Sequence, residues 1–286
     1  GTTGLDKRSW AENTLDDFRQ FLTNEPRGHA DMYGGFVVPA DDESGDLGVV
    51  FFHKDGFSTA CGHGTIALAT WAIDTGLIEI ESNEVDVIID VPSGRLKTTA
   101  KIVDAKVESI CFQNVPSFVS ATNISLQTSQ GIVSADISFG GAFYASVNTA
   151  SLELSPVAKN IDALVSLGRE IKDLLKNDSR AEHPTESRLS GVYGTIFYED
   201  VGVDPLHQRN MTVFADGQVD RSPCGSGTSA RLALLYESEQ ITMGEPFRNE
   251  GVAGEQFIGK VVSADENTVT TTIQGLAYHY ATSTFV

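Results

Sequence analysis

Two short phrases in this sequence match one another, Cys61-Gly62-His63-Gly64-Thr65 and Cys224-Gly225-Ser226-Gly227-Thr228. Each cysteine is followed by glycines and then by an apolar run of helical character, which places a thiol at the start of a helix. The start of a helix carries unpaired N–H groups and a partial positive charge. That end favours the thiolate of a nearby cysteine and can dock a carboxylate through backbone donors. Gly62, Gly64, Gly225 and Gly227 let a ligand come close to the backbone. Two such ends facing each other would hold an amino acid's carboxylate between them, with one thiol on each side of its α-carbon. A thiolate on one side removes the α-proton while a thiol on the other side delivers one, which inverts the centre by general acid–base catalysis. Hydrogen bonds to the carboxylate and exclusion of water would ease the carbanion. The two thiols would titrate as a coupled pair.

Other chemistry fits these residues less well. A buried cysteine is often a small core residue, and Cys111, in a strand-like run, is read that way. A disulfide between Cys61 and Cys224 suits a reducing compartment poorly. Zinc takes about four N, S or O ligands, and only Cys61 and His63 are close in sequence, so no metal is expected. No glycine-rich phosphate loop with a following lysine occurs, and Cys-Gly-x-Gly is no dinucleotide fingerprint.

The elements that must position the thiols follow from periodicity. Apolar residues at Trp10, Leu15, Phe18, Phe21 and Leu22 predict a helix over Asp6–Thr23, stopped by Pro26 and Gly28. Gly35–Pro39 and Leu47–Phe52 read as strands either side of a polar turn. The helix after Cys61 is apolar nearly all round, as is the helix after Cys224 apart from Arg231, so other structure must wrap both. Strands are expected at 84–91, 96–103, 106–113 and 118–120, then at 132–137 and 141–147. A helix follows over 158–177, and strands over 192–198 and 210–214 lead into the second cysteine phrase. Further strands are expected at 257–262 and 269–273. Strand, cysteine turn, helix and strands thus occur twice, which predicts an α/β (α+β) chain of two related halves. The halves are drawn at 1–115 and 116–276, with a last strand over 277–286 crossing back to the first.

Composition narrows the partners. The chain has 286 residues, enough for two domains, with 39 acidic against 20 basic residues and a net charge of −19. A field of that sign repels nucleic acid and anionic membranes, so neither is expected as a partner. Three cysteines are no disulfide framework, and a cytoplasmic location is the easier match. No run of about 18 apolar residues predicts a membrane span, and no leader is recognised at the start.

The second phrase in its wider context, Asp220-Arg221-Ser222-Pro223-Cys224-Gly225-Ser226-Gly227-Thr228-Ser229-Ala230, closely resembles the C-terminal signature of the proline racemase family. Cys61 to Thr65 resembles its N-terminal counterpart, Glu25-Pro26-Arg27-Gly28-His29 a third family segment and Gly244-Glu245-Pro246-Phe247 a fourth. The resemblance implies a diaminopimelate epimerase-like fold of two pseudo-symmetric halves, each a sheet wrapped around a central helix, with the site between them and no cofactor. It implies Cys61 and Cys224 as the two bases. Gly62, His63, Gly225 and Ser226 would contact the substrate carboxylate, and Asp220 and His63 would lie near the ring nitrogen of an imino acid. Members that dehydrate trans-3-hydroxyproline typically carry threonine or serine at one of the two cysteine positions. Retention of both favours racemisation or epimerisation, with 4-hydroxyproline 2-epimerase preferred. The alternatives are proline racemase, trans-3-hydroxyproline dehydratase and an inactive imino acid binding protein. Similar proteins are often homodimers. Family members begin with a strand carrying an Asp-x-His-Thr-x-Gly-Glu-Pro-like segment, and this sequence starts after it, so an upstream segment is expected. Phe139 to Tyr144 supplies either aromatic walls to the site or core packing.

Overall fold

The computed structural model describes residues 1–285. Where the sequence predicts one N-terminal helix, the chain forms two, α1 (Gly4–Thr14) and α2 (Asp16–Thr23). The backbone turns out of helical conformation at Leu15, and Asp16 and Asp17 open α2 at its positive end. The break leaves Trp10 and Phe18 half exposed instead of completing one buried stripe.

Next come β1 (Tyr33–Val38), β2 (Leu47–His53), β3 (Gly56–Phe57) and α3 (Gly62–Asp74). β2 is buried on both faces, and its alternation sorts the side chains. Val49 and Phe51 pack with Ile66 of α3, whereas Val50 and Phe52 pack with Ala11 of α1 on the other side. A meander follows, β4 (Glu84–Val91), β5 (Gly94–Val103) and β6 (Lys106–Gln113). Ile66, Ala69, Ala72 and Ile73 of α3 are buried against it, as an all-apolar helix requires.

The chain then continues past Gln113. It runs through β7 (Phe118–Thr128), β8 (Gly131–Phe139), β9 (Phe143–Asn148), α4 (Ile161–Leu174), β10 (Val192–Val203), β11 (Leu206–Phe214) and β12 (Gln218–Asp220). Then come α5 (Gly225–Glu237), β13 (Phe247–Glu250), β14 (Gln256–Ala264) and β15 (Val269–Gly275). On β10, Ile196 joins the cluster around Cys224, while the next residue, Phe197, packs with Leu164, Leu167 and Ile171 of α4. α4 therefore backs the strands around β10 as α1 and α2 back β2. Residues Gly225 to Leu235 of α5 are all buried. Arg231 among them finds partners inside: its guanidinium lies 3.7 Å from the Tyr198 ring centroid, and its Nε donates to Gln208 Oε1 at 3.3 Å.

The strands form one continuous mixed sheet in the order β1-β2-β4-β5-β6-β15-β14-β13-β11-β10-β9-β8-β7. The chain crosses back to the first half earlier than the sequence suggests. Residues 276–285 carry no regular structure, and Val286 lies outside the described residues. The crossing strand is β15, which pairs antiparallel with β6. Phe247, Phe257, Val261 and Ile273, assigned from sequence to the second half, accordingly sit in the core of α3. Among the described residues no helix is long and apolar enough to cross a membrane.

Candidate active site

The two cysteine phrases meet at the centre of the molecule. A methyl placed on Gly62 would lie 2.6 Å from the Gly225 Cα, and one placed on Gly225 would lie 2.6 Å from the Gly62 Cα. The first turns of α3 and α5 therefore touch backbone to backbone, and only glycine fits at either position. The correspondence extends outward. A methyl on Gly64 would lie 3.0 Å from Cys61 Sγ, and one on Gly227 2.8 Å from Cys224 Sγ. Thr65 Oγ1 donates to the Cys61 carbonyl at 2.9 Å, and Thr228 Oγ1 to the Cys224 carbonyl at 2.7 Å.

The cysteines themselves are held differently. Cys61 caps α3 in extended conformation (φ −151°), and its Sγ accepts the Gly64 N–H at 3.2 Å. Cys224 has φ +64°, a left-handed conformation that a non-glycine residue adopts at a cost of roughly 1–3 kcal/mol. A bracket of hydrogen bonds holds it there. Asp220 Oδ1 accepts the Ser222 N–H (2.9 Å) and hydroxyl (2.7 Å), and Ser222 Oγ accepts the Cys224 N–H (3.1 Å).

Ser226, expected to touch a carboxylate, has its hydroxyl engaged with Tyr144 Oη at 2.7 Å, so only its backbone N–H points to that use. Tyr144 Oη also lies 3.7 Å from Cys224 Sγ. The segment Phe139 to Tyr144 thus divides by strand alternation. Phe139 and Phe143 belong to the core against α4, and Tyr144 turns to the cysteine. His63 is half-buried, 6.0 Å edge-on from the Phe257 ring, and its charge acts on Asp220. Arg221 is exposed and makes no ion pair with Asp220.

Three side chains that the motifs do not announce complete the site. The Tyr33 hydroxyl bonds Ser58 Oγ, donates to the Ala60 carbonyl at 3.4 Å and influences the Cys61 thiol. Tyr193 packs against Cys224 and stacks on Phe214, ring centroids 5.7 Å apart. His53 lies about 6 Å from the rings of Tyr33, Tyr193 and Phe214, and its Nδ1 accepts the Asp55 N–H at 3.1 Å. Tyr33 follows the Glu25–His29 segment closely, which was the available signal; Tyr193 had none. A cavity of about 220 Å³ opens beside this group, lined by Phe57, Ser58, Thr59, Ala142, Val192 and Tyr193 among others.

The electrostatics reverse one expectation. Helix starts favour thiolates, yet burial pushes the Cys61 thiol up to about 12, and the Asp220 carboxylate adds to the shift. The Gly64 and His63 N–H groups and the Tyr33 hydroxyl oppose it without overcoming it. Cys224 is more deeply buried and is pushed up further by burial and then by Asp220, against the pull of Tyr144 and the Gly227 N–H. Burial also raises Asp220, which Ser222 and His63 counteract. Desolvation therefore outweighs the N–H groups of the helix starts at both cysteines. Among the described residues no three of His, Cys, Asp and Glu converge as a metal site would require.

Known proteins are similar to this chain over most of its length. The proline racemase family model matches residues 1–286. A trans-3-hydroxy-L-proline dehydratase from Bacillus thuringiensis subsp. konkukian is 41% identical over 263 residues, covering 92% of this chain and 79% of its own. The proline racemase of Acetoanaerobium sticklandii is 34% identical over 264 residues (92% and 79%), and a 3-hydroxyproline 2-epimerase from Burkholderia multivorans 37% over 263 (92% and 78%). The crystal structure of a hydroxyproline epimerase from Agrobacterium vitis, with trans-4-hydroxy-L-proline bound, superposes with a TM-score of 0.91 at 29% identity over 98% of this chain and 84% of that one. This chain belongs to the proline racemase family of enzymes.

Proposed function

We propose that the protein is a two-thiol 2-epimerase of hydroxyproline, inverting the α-carbon without a cofactor. The observation that supports this best is the contact of the two helix starts at Gly62 and Gly225, each with its own cysteine alongside. A carboxylate at that junction meets N–H groups from both helices. Asp220 then takes the ring ammonium, with His63 beside it. Cys61 and Cys224 stand on opposite sides of the α-carbon.

The high thiol pKa values assign a task to the substrate. Asp220 is the second cause of both shifts. A ring ammonium against Asp220 offsets that charge and brings the thiols closer to ionisation. One cysteine, as thiolate, takes the α-proton; the other, as thiol, delivers its proton to the opposite face. Each turnover leaves the proton on the first cysteine, and the reverse reaction starts from that state.

The 4-hydroxyl preferred on the family resemblance has the Agrobacterium epimerase in its support. The Bacillus and Burkholderia relatives, named for 3-hydroxyproline, favour a second reading. With a hydroxyl on C3, the same α-carbanion can expel it: one cysteine, as thiolate, takes the α-proton, the electron pair left on C2 forms the C2=C3 bond as the C3–O bond breaks, the hydroxyl leaves as water with a proton from the other cysteine's thiol, and the cyclic enamine tautomerises to the cyclic imine. NMR in deuterated water with proline, 4-hydroxyproline and 3-hydroxyproline separates these outcomes. Epimerisation exchanges the α-proton and yields the C2 epimer, whereas dehydration yields a cyclic imine. Cys61→Ser and Cys224→Ser should each abolish inversion, and full interconversion in either variant would refute the two-thiol mechanism.

A further inference from the structure

Tyr193 is unemployed by the mechanism above, yet it occupies a special place in the fold. The register between β9 and β10 pairs Val192 with Phe143 and Gly194 with Tyr144, so Tyr193 is the extra residue of a β-bulge. A bulge re-aims a side chain and is a common device beside active sites. Here it brings Tyr193 onto Tyr144, edge to face with centroids 5.9 Å apart, and into the cluster around Cys224. The Tyr193 hydroxyl is buried and has no hydrogen-bond partner. The neighbouring phenols are committed elsewhere, Tyr33 to Ser58 and the Ala60 carbonyl, Tyr144 to Ser226 and Cys224. The groups whose charge reaches this hydroxyl are Cys61, Cys224 and Asp220, which are the residues proposed to surround the substrate. The Tyr33 hydroxyl also influences it but is not in bonding geometry.

Buried hydroxyls in folded proteins are almost always satisfied, and one left open at a site calls for a polar atom on the ligand. The carboxylate and ring nitrogen of an imino acid are already provided for by the helix starts and Asp220. We propose that the Tyr193 hydroxyl is the specificity element of this site, hydrogen-bonding the ring hydroxyl of a hydroxyproline and leaving unsubstituted proline the poorer substrate. This assignment rests on the imino acid reading given above. A site built to bond a substrate hydroxyl discriminates strongly against the analogue lacking it, because its own buried group is then left unpaired.

The test compares the full chain with Tyr193→Phe, which keeps the ring and its packing. Steady-state rates of α-proton exchange are measured on L-proline, trans-4-hydroxy-L-proline and trans-3-hydroxy-L-proline. The wild type should prefer at least one hydroxyproline over proline by roughly 10-fold or more in kcat/KM. Tyr193→Phe should lose roughly 10- to 100-fold on that substrate, expressed largely in KM, and a clearly smaller factor on proline, so that the preference for the hydroxylated ring narrows. An unchanged preference in the variant, an equal fall on all three substrates, or a wild type indifferent to the ring hydroxyl would each overturn the assignment while leaving the imino acid reading intact. A wild type that binds and exchanges none of the three would overturn both.

Discussion

The close backbone approach of Gly62 to Gly225 makes a quantitative prediction. In Gly62→Ala the new methyl would lie 2.6 Å from the Gly225 Cα, 2.9 Å from its carbonyl carbon and 2.7 Å from Phe112 Cζ. Carbon atoms rest at about 3.5–4.0 Å, so the deficit is roughly 1 Å. The Phe112 ring is fully buried and has little room to retreat, and Gly225 is the first residue of a helix buried along its length. The strain therefore falls on the backbone, and overpacking of this kind costs about 1–3 kcal/mol, with this site at the upper end. Alanine's better helix propensity recovers less than about 1 kcal/mol. For a chain of this size the loss corresponds to a melting-point drop of roughly 3–5 °C. Activity should suffer more. Separating the two helix starts by about 1 Å moves both thiols and both sets of N–H donors relative to the α-carbon, and misplacement on that scale costs about 100-fold in rate. Gly225→Ala should behave alike, since its methyl meets the Gly62 Cα at the same 2.6 Å. The double variant should cost clearly less than the sum, because the first methyl already opens the gap that the second would need. Thermal melts and α-proton exchange on all three variants provide the check. Wild-type stability and exchange in Gly62→Ala, or strict additivity in the double variant, would refute the reasoning that the two helix starts are locked together.

Two further perturbations read the electrostatics. Asp220→Asn keeps an oxygen to accept from Ser222 but removes the charge that is the second cause of both raised thiols. Alkylation of Cys61 and Cys224 by iodoacetamide in the unliganded protein at pH 8–9 should become faster, while imino acid binding weakens; slower alkylation would contradict the account. His53 is buried and neutral, its pKa depressed to about 3 by desolvation and by the nearby Lys172, Arg19 and Arg8 charges. An unfolded chain takes up that proton from about pH 6.5 downward, whereas the fold does not. The stability His53 contributes is thus complete above pH 6.5 and is lost as the pH falls toward 3, at about 1.4 kcal/mol per unit. By pH 4.5 the wild type should have lost roughly 2–3 kcal/mol relative to His53→Asn in urea titrations, and a pH-independent difference between them would exclude the effect.

How far the sequence discloses this site depends on whether a signal is local. The glycines beside each cysteine report a helix start, and the all-apolar runs behind them report helices wrapped by sheet, because both demands act within a few residues. Tyr33, Tyr193 and His53 carry no such mark. Each sits on or beside a strand, where period-two alternation says that two faces exist but not which one closes on a site. The bulge that turns Tyr193 inward is a property of its pairing with β9 and leaves no trace in its own neighbours. The crossing of β15 onto β6 is likewise a choice among sheet edges that strand propensity cannot make.

The twin phrases show the same limit from within. Their letters suggest two equivalent thiols, yet Cys61 is an unstrained helix cap and Cys224 is held at φ +64° by the Asp220–Ser222 bracket. That bracket comes from residues that precede the second phrase, and its carboxylate has no counterpart before the first, where Phe57 occupies the position of Asp220 and Thr59 that of Ser222. A reaction that runs in both directions needs two thiols of comparable acidity; it does not need identical supports. Here the same two causes, burial and the single carboxylate of Asp220, raise both cysteines, and a backbone N–H and a tyrosine hydroxyl oppose each of them, Tyr33 at Cys61 and Tyr144 at Cys224. The two cysteines are therefore held by different backbones yet raised by the same two causes, and the one carboxylate that raises both comes from the segment just before Cys224 alone.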